Sequence, residues 1–216
     1  MVAPPSRKAK GYTYQDYLGF PDELRCEIMD GEIYDMTLAP TTGHQSVTGR
    51  IHYLILGHLD KTGHRCEVFI SPVDVILSEA DVVQPDIVIV CDRGKIQRRG
   101  IFGAPDVVFE VLSPSTEPKD RQKKRELYER SGVQEYFLVN PEAEFVEKYT
   151  LSSAGYGKYV VYVAKEIFMI EPIKLELPVQ DLFPEGSYKW CIHDLLQREA
   201  EEGRTPLPGT IQGDTC

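Results

Sequence analysis

The sequence predicts a mixed α/β (α+β) fold in one domain, with a central mixed β-sheet flanked by helices and additional β-hairpins. Three observations predict it. Residues 87–90 and 107–112 are apolar on both faces, as central strands of a covered sheet are. Apolar residues recur at helical spacing through two further segments, ending near Lys61 and Ser131. Short alternating runs separated by Gly, Asp and Ser supply the hairpins.

Taken in order, residues 1–11 are polar and proline-rich, and residues 198–216 return to that composition, so the domain is expected over 12–197 between two tails. Thr13 and Asp16 open a short helix to about Leu18, and strands at 24–28 and 32–36 are joined at Asp30-Gly31, a favoured two-residue turn. Glu27 lies on the first of them. Beyond Pro40 and Thr42 a helix carries Val47, Ile51, Leu54, Ile55 and Leu59 inward and stops at Gly63. Strands are expected at 66–70, 73–77, 87–90 and 107–112. Ser115 and Thr116 can cap a helix beginning near Pro118 and ending at Gly132. Strands at 133–139, 145–151, 159–164 and 173–177 complete the chain.

Composition narrows the chemistry. The 216 residues suffice for one sizeable core, and no stretch is apolar for long enough to span a membrane. The first residues lack the apolar core of a secretory signal, so a cytoplasmic protein is expected. Five scattered cysteines without a C-x-x-C pair suggest reduced thiols rather than a disulfide framework. The five histidines show no zinc-hydrolase spacing, so any metal is expected on oxygen ligands. A net charge of −10 opposes broad affinity for nucleic acid, although positive charge gathers at Arg93, Lys95, Arg98 and Arg99 and again over residues 119–125.

Glu110 stands inside V-V-F-E-V-L, where an ionised carboxylate costs several kcal/mol unless a cation or hydrogen bonds compensate it. Asp86 follows Pro85 at the head of the other central strand. Two acids on two central strands form an oxygen site suited to Mg²⁺ or Mn²⁺; a turn cap and a structural ion pair are the alternatives. In the next helix Asp120, Lys124, Leu127, Tyr128 and Ser131 share one face, which turns Lys124 inward. Lys123 lies about 100° away, towards solvent. Two carboxylates and an ammonium are what metal-assisted phosphodiester hydrolysis requires.

The segments Glu27-Ile-Met-Asp-Gly-Glu, Val83-Gln-Pro-Asp86, 103–116, Asp120-Arg-Gln-Lys-Lys124-Arg-Glu-Leu-Tyr128 and 132–139 occur in series within about residues 12–185. That series resembles the Uma family of "putative restriction endonucleases". The resemblance implies a restriction-endonuclease-like PD-(D/E)XK fold acting on DNA with Mg²⁺, with Asp86 and Glu110 as the two motif acids. Leu112 occupies the position of the motif lysine, and the family resembles variants whose lysine comes from the following helix, which points to Lys124. Glu27 matches an early family acid and would complete the metal cage; an exposed position on its hairpin strand is the alternative. His44 and Gln45 also match family positions, and His44, on the face of Val47 and Ile51, is read as a satisfied structural histidine, with an approach to the site as the alternative. Asp120 would orient Lys124. A homodimer would suit cleavage of both strands of a duplex. The alternative is a nuclease-like fold without catalysis, serving as a nucleic-acid or protein interaction module.

Overall fold

The computed structural model describes residues 11–21, 23–36, 39–113 and 116–183. In chain order it contains α1 (Tyr14–Tyr17), β1 (Cys26–Met29), β2 (Glu32–Asp35), α2 (Thr42–Thr62), β3 (Glu67–Ile70), β4 (Val75–Ser78), β5 (Asp81–Val83) and β6 (Ile87–Val90). Then come β7 (Ile96–Gln97), β8 (Gly100–Phe102), β9 (Val107–Val111), α3 (Glu117–Lys119), a π-helical segment (Asp120–Lys124) and α4 (Arg125–Ser131). The last strands are β10 (Glu135–Asn140), β11 (Phe145–Ser152), β12 (Gly155–Tyr156), β13 (Val160–Val163), β14 (Ile167–Ile170) and β15 (Leu175–Pro178).

Local chemistry accounts for several boundaries. Thr13 and Asp16 form a reciprocal capping box at α1, each side chain accepting from the other's backbone N–H. Asp30 and Gly31 both have positive φ, 52° and 73°, the two-residue turn that matches the twist of the β1–β2 hairpin. Thr41 caps α2 by accepting from His44 N, and Gly63 ends it in the left-handed region at φ 61°. The expected cap Ser115 lies outside the described residues, as do residues 184–216, which include the expected domain boundary at 197 and the C-terminal tail. Of the expected N-terminal tail, only Gly11 is described.

Two sheets dominate. The first has strand order β2-β1-β5-β4-β8-β7, and the second β12-β11-β10-β9-β6-β3, with β13 also on β11. β9 is central: it runs parallel to β10 and antiparallel to β6, and all five of its residues are buried. Its alternating side chains divide between two layers. Val107, Phe109 and Val111 pack under Val47, Ile51 and Ile55 of α2, whereas Val108 and Leu112 pack with Leu127 and Tyr128 of α4. Glu110 has the parity of Val108 and Leu112, so it points towards α4.

Several features depart from the sequence expectation. Strand β5 and the β7–β8 hairpin, with two or three residues per strand, are too short for periodicity to reveal, and β14, a four-residue strand, is not among the expected ones. Cys66 and Cys91, expected as reduced thiols, are joined in a disulfide. They directly flank the β3–β6 ladder, in which Glu67 opposes Val90, so strand register brings together residues 25 apart in the chain. Cys26 is free and buried, and Cys191 and Cys216 lie outside the described residues. Among the described residues, no helix is long and apolar enough to cross a membrane.

Phe109 and Phe137 stack across the parallel β9–β10 pair with ring centroids 4.4 Å apart, and both are fully buried. Phe109→Ala is expected to lower unfolding free energy by about 3–5 kcal/mol, read from the midpoint of urea denaturation at unchanged slope.

Candidate active site

The register of β6 against β9 builds the first half of the site. Ile87 opposes Phe109, which sets Asp86, just ahead of β6, beside the end of β9. The N–H of Val111 donates to Asp86 Oδ2 at 2.8 Å. His44 Nε2 lies 3.1 Å from the same oxygen. Burial works against a protonated His44, but the bond and charge of Asp86 outweigh it and raise the imidazole above its ordinary range. Asp86 Oδ1 has no partner among the described residues.

The second half comes from the helix over the sheet. Asp120, Lys124, Leu127 and Tyr128 are all buried on its inward face, Lys124 at 3% exposure. Lys124 Nζ lies 2.8 Å from Glu110 Oε1, 2.8 Å from Glu27 Oε1 and 3.8 Å from Asp120 Oδ1. Tyr128 donates its hydroxyl to Glu110 Oε1 at 2.8 Å, so that oxygen is doubly held, while Oε2 has no partner among the described residues. Lys123 turns outward, its ammonium over the ring of Tyr34 and bonded to the Tyr34 hydroxyl.

The electrostatics are unevenly compensated. Burial pushes the Glu110 carboxyl up to about 8; Lys124 opposes this, while Asp120, Asp86 and Glu27 reinforce it. Burial likewise raises Asp120, against the pull of Lys124. Its Oδ1 is buried without a hydrogen bond. Burial would also raise Glu27, yet Lys124 and Lys119 together outweigh it and hold that carboxyl below its ordinary value. Lys124 is driven well above its usual range by Glu110, Glu27 and Asp120 despite the desolvation that opposes its charge. Glu27, Glu110 and Asp120 thus share the two lysines while Asp86 pairs with His44, so the acids of the cluster outnumber its lysines.

Asp86, Glu110, Asp120, Lys124, Lys119, His44 and Gln84 line a cavity of about 910 Å³. Glu27 does not. It is fully buried behind them, with Oε1 on Lys124 and the N–H of Gln84 and Oε2 on Lys119 at 2.7 Å. Glu27 is thus buried and not exposed on its hairpin strand, and it anchors two lysines behind the cavity wall. His44, expected as a structural histidine, is hydrogen-bonded to a site acid.

Sequence reasoning missed Lys119 and the hydroxyl of Tyr128. In an α-helix, Lys119 and Lys124, five residues apart, would diverge. The π-helical segment closes its turn with i→i+5 bonds, as from Arg125 N to Asp120 O, and brings both onto Glu27. Tyr128 was legible only as part of the apolar face, although its position one turn after Lys124 was the available signal.

Residues 12–180 match the profile of a family described as "Uma2: Putative restriction endonuclease". The chain belongs to the Uma2 family. This Uma2 chain is 28% identical over 183 residues to an uncharacterized protein, slr1290, of Synechocystis, covering 83% of this chain and 95% of that one. Its fold is similar to the crystal structure of a "putative nuclease belonging to DUF820" from Anabaena variabilis, with a TM-score of 0.66 at 20% identity, over 79% of this chain and 97% of that one.

Two outcomes test the cluster in this Uma2 protein. Lys124→Met strands buried carboxylates and is expected to cost about 3–5 kcal/mol of stability, whereas Lys123→Met stays within about 0.5 kcal/mol, both by chemical denaturation. The second concerns pH. Glu110 holds its proton up to about 8 when folded but only to the ordinary carboxylate range, about 4.3, when unfolded. Between those values the native state binds more protons, so its contribution to stability is present at low pH and lost as pH rises through the window. Denaturation midpoints measured with chelator at pH 5 and 8 should show Glu110→Gln, neutral throughout, losing less stability over that interval than the wild type.

Proposed function

We propose that this chain is a Mg²⁺-dependent endonuclease that hydrolyses phosphodiester bonds of DNA. The observation that carries the reading is the pair of oxygens Asp86 Oδ1 and Glu110 Oε2, without partners among the described residues, on the wall of a cavity that a buried ammonium also lines. The donors available there are oxygens, as Mg²⁺ prefers. Among the described residues no three acidic or imidazole groups converge as a closed metal cage. Mg²⁺ does not ask for one, since it keeps several waters and binds through one or two carboxylates plus substrate phosphate.

Asp86 and Glu110 would hold the ion, with Mn²⁺ as a substitute, and Asp120, whose Oδ1 lies 3.8 Å from Lys124 Nζ, lines the same cavity. When bound, the metal supplies an activated water and neutralises charge on the phosphate. The chain's own residues do the rest. Lys124 has three N–H donors; Glu110 and Glu27 take two at 2.8 Å, and Asp120 at 3.8 Å is beyond hydrogen-bond reach, which frees the third for a phosphate oxygen. Glu27 and Lys119 fix the lysine, Tyr128 fixes Glu110, and His44 with Val111 N–H fixes Asp86.

Nicking of plasmid DNA by purified protein, with Mg²⁺ or Mn²⁺ and with chelator, tests the reading. Asp86→Ala and Glu110→Ala should abolish cleavage and, by calorimetry, Mn²⁺ binding; Lys124→Ala should slow cleavage at least about 100-fold, and Lys123→Ala should leave it near wild type. Cleavage that persists in both acid variants would refute the site. The net charge of −10 motivates the second reading, an inactive interaction module. It predicts no metal binding and unchanged partner binding in the acid variants.

A further inference from the structure

Four basic residues, Arg93, Lys95, Arg98 and Arg99, cluster on the outer edge of the first sheet, and the proposed mechanism uses none of them. Two are already engaged: Arg93 pairs with Glu67, and Lys95 donates to the carbonyl of Ala104 at 2.7 Å. Arg98 and Arg99 differ. Gln97 opposes Gly100 across β7–β8, so these two arginines are the whole turn of the hairpin. Both are exposed, and among the described residues neither makes an ion pair.

Strand direction fixes where the turn lies. β8 runs parallel to β4, with Val75 opposite Ile101, so residues ahead of Gly100 extend past the start of β4. That is the end at which Ser71 and Pro72, just before β4, line the cavity. The hairpin is pinned there. Ile101 N donates to Asp74 O at 2.8 Å, and any Cβ at Gly100, whose φ is 147°, would lie 2.4 Å from that same carbonyl. Asp74 Oδ1 in turn accepts from Gln84 Nε2 at 2.9 Å, and Gln84 lines the cavity two residues before Asp86.

We infer that the β7–β8 hairpin is an arm that grips the sugar-phosphate backbone of duplex DNA beside the cleavage site, with Arg98 and Arg99 as its phosphate contacts. The inference rests on the endonuclease reading. β8 stands two strands from β5, whose end leads to Gln84, a displacement of about 10 Å at the usual strand spacing. Along the duplex axis that is about three base pairs, so the turn meets phosphates flanking the one at Asp86 and Glu110. The turn Gln97-Arg98-Arg99-Gly100 carries no aromatic ring on which an unpaired base could stack, which favours backbone contact with a duplex over capture of a single strand. Two exposed guanidinium groups, without an ion pair among the described residues, also answer the problem of an acidic chain that must approach a polyanion: they put positive charge beside the cavity.

Fluorescence anisotropy of a short labelled duplex with full-length protein, in chelator and across roughly 50 to 200 mM salt, tests the arm. Neither turn arginine has positive φ, so alanine fits the backbone. Arg98→Ala with Arg99→Ala is expected to weaken binding about ten-fold and to reduce the slope of log Kd against log salt by about two, with an unchanged thermal midpoint. Replacing both with lysine should restore most of the slope. Wild-type binding that the alanine pair leaves unaltered in affinity and slope overturns the arm while the endonuclease reading stands. Absence of salt-dependent DNA binding by the wild type overturns both.

Discussion

The ammonium of Lys124, buried at 3% exposure among Glu27, Glu110 and Asp120, is the interaction on which the rest of the site depends. Taking charges out of water costs several kcal/mol each, and removing one partner leaves the others uncompensated. Their mutual attraction also has an architectural effect. Glu27 comes from β1 in the first sheet, Glu110 from β9 in the second, and Lys124 from the helix covering β9. One nitrogen therefore ties three elements that share no backbone ladder, and the cavity opens beside that tie.

The same cluster explains a local irregularity. A helix that continued with α-helical spacing from α3 to α4 could not direct both Lys119 and Lys124 at one carboxylate. The π-helical segment between them does so, at the expense of regular hydrogen bonding, and the two lysines then hold Glu27 from both of its oxygens. The backbone of this stretch is shaped by the demand of a buried acid on a neighbouring sheet.

Much of this was legible in the sequence. The acid in V-V-F-E-V-L announced a buried charge, because apolar flanks on both parities leave no exposed face to turn to. Helical spacing separated Lys124 from Lys123, and the structure places one inside and the other over Tyr34. Asp30-Gly31 and the inward stripe of α2 were equally direct. What escaped notice depends on relations the linear order does not carry. Burial of Glu27 follows from β5 and the helix closing over β1; contact between Cys66 and Cys91 follows from the β3–β6 register; the bond from His44 to Asp86 follows from where α2 crosses the head of β6. Each is a tertiary outcome, and β5, three residues long, leaves no periodic trace.

The lysine borne on the helix also has a consequence for how the site balances its charge. Leu112, next after Glu110 on the same face of β9, packs against Tyr128 and seals the apolar layer, so an ammonium must descend from the covering helix instead of rising from the strand. A helical lysine reaches Glu110 and Glu27 together and divides its charge between them. Neither acid is then fully neutralised by it alone. Lys124 and Lys119 together outweigh the burial of Glu27 and hold its carboxyl below the ordinary range, while burial, reinforced by Asp120 and Asp86, lifts Glu110, which has Lys124 alone, to about 8. The acids left short of a cation are thus those that line the cavity and not the one behind them, and at Glu110 the shortfall is met by a retained proton.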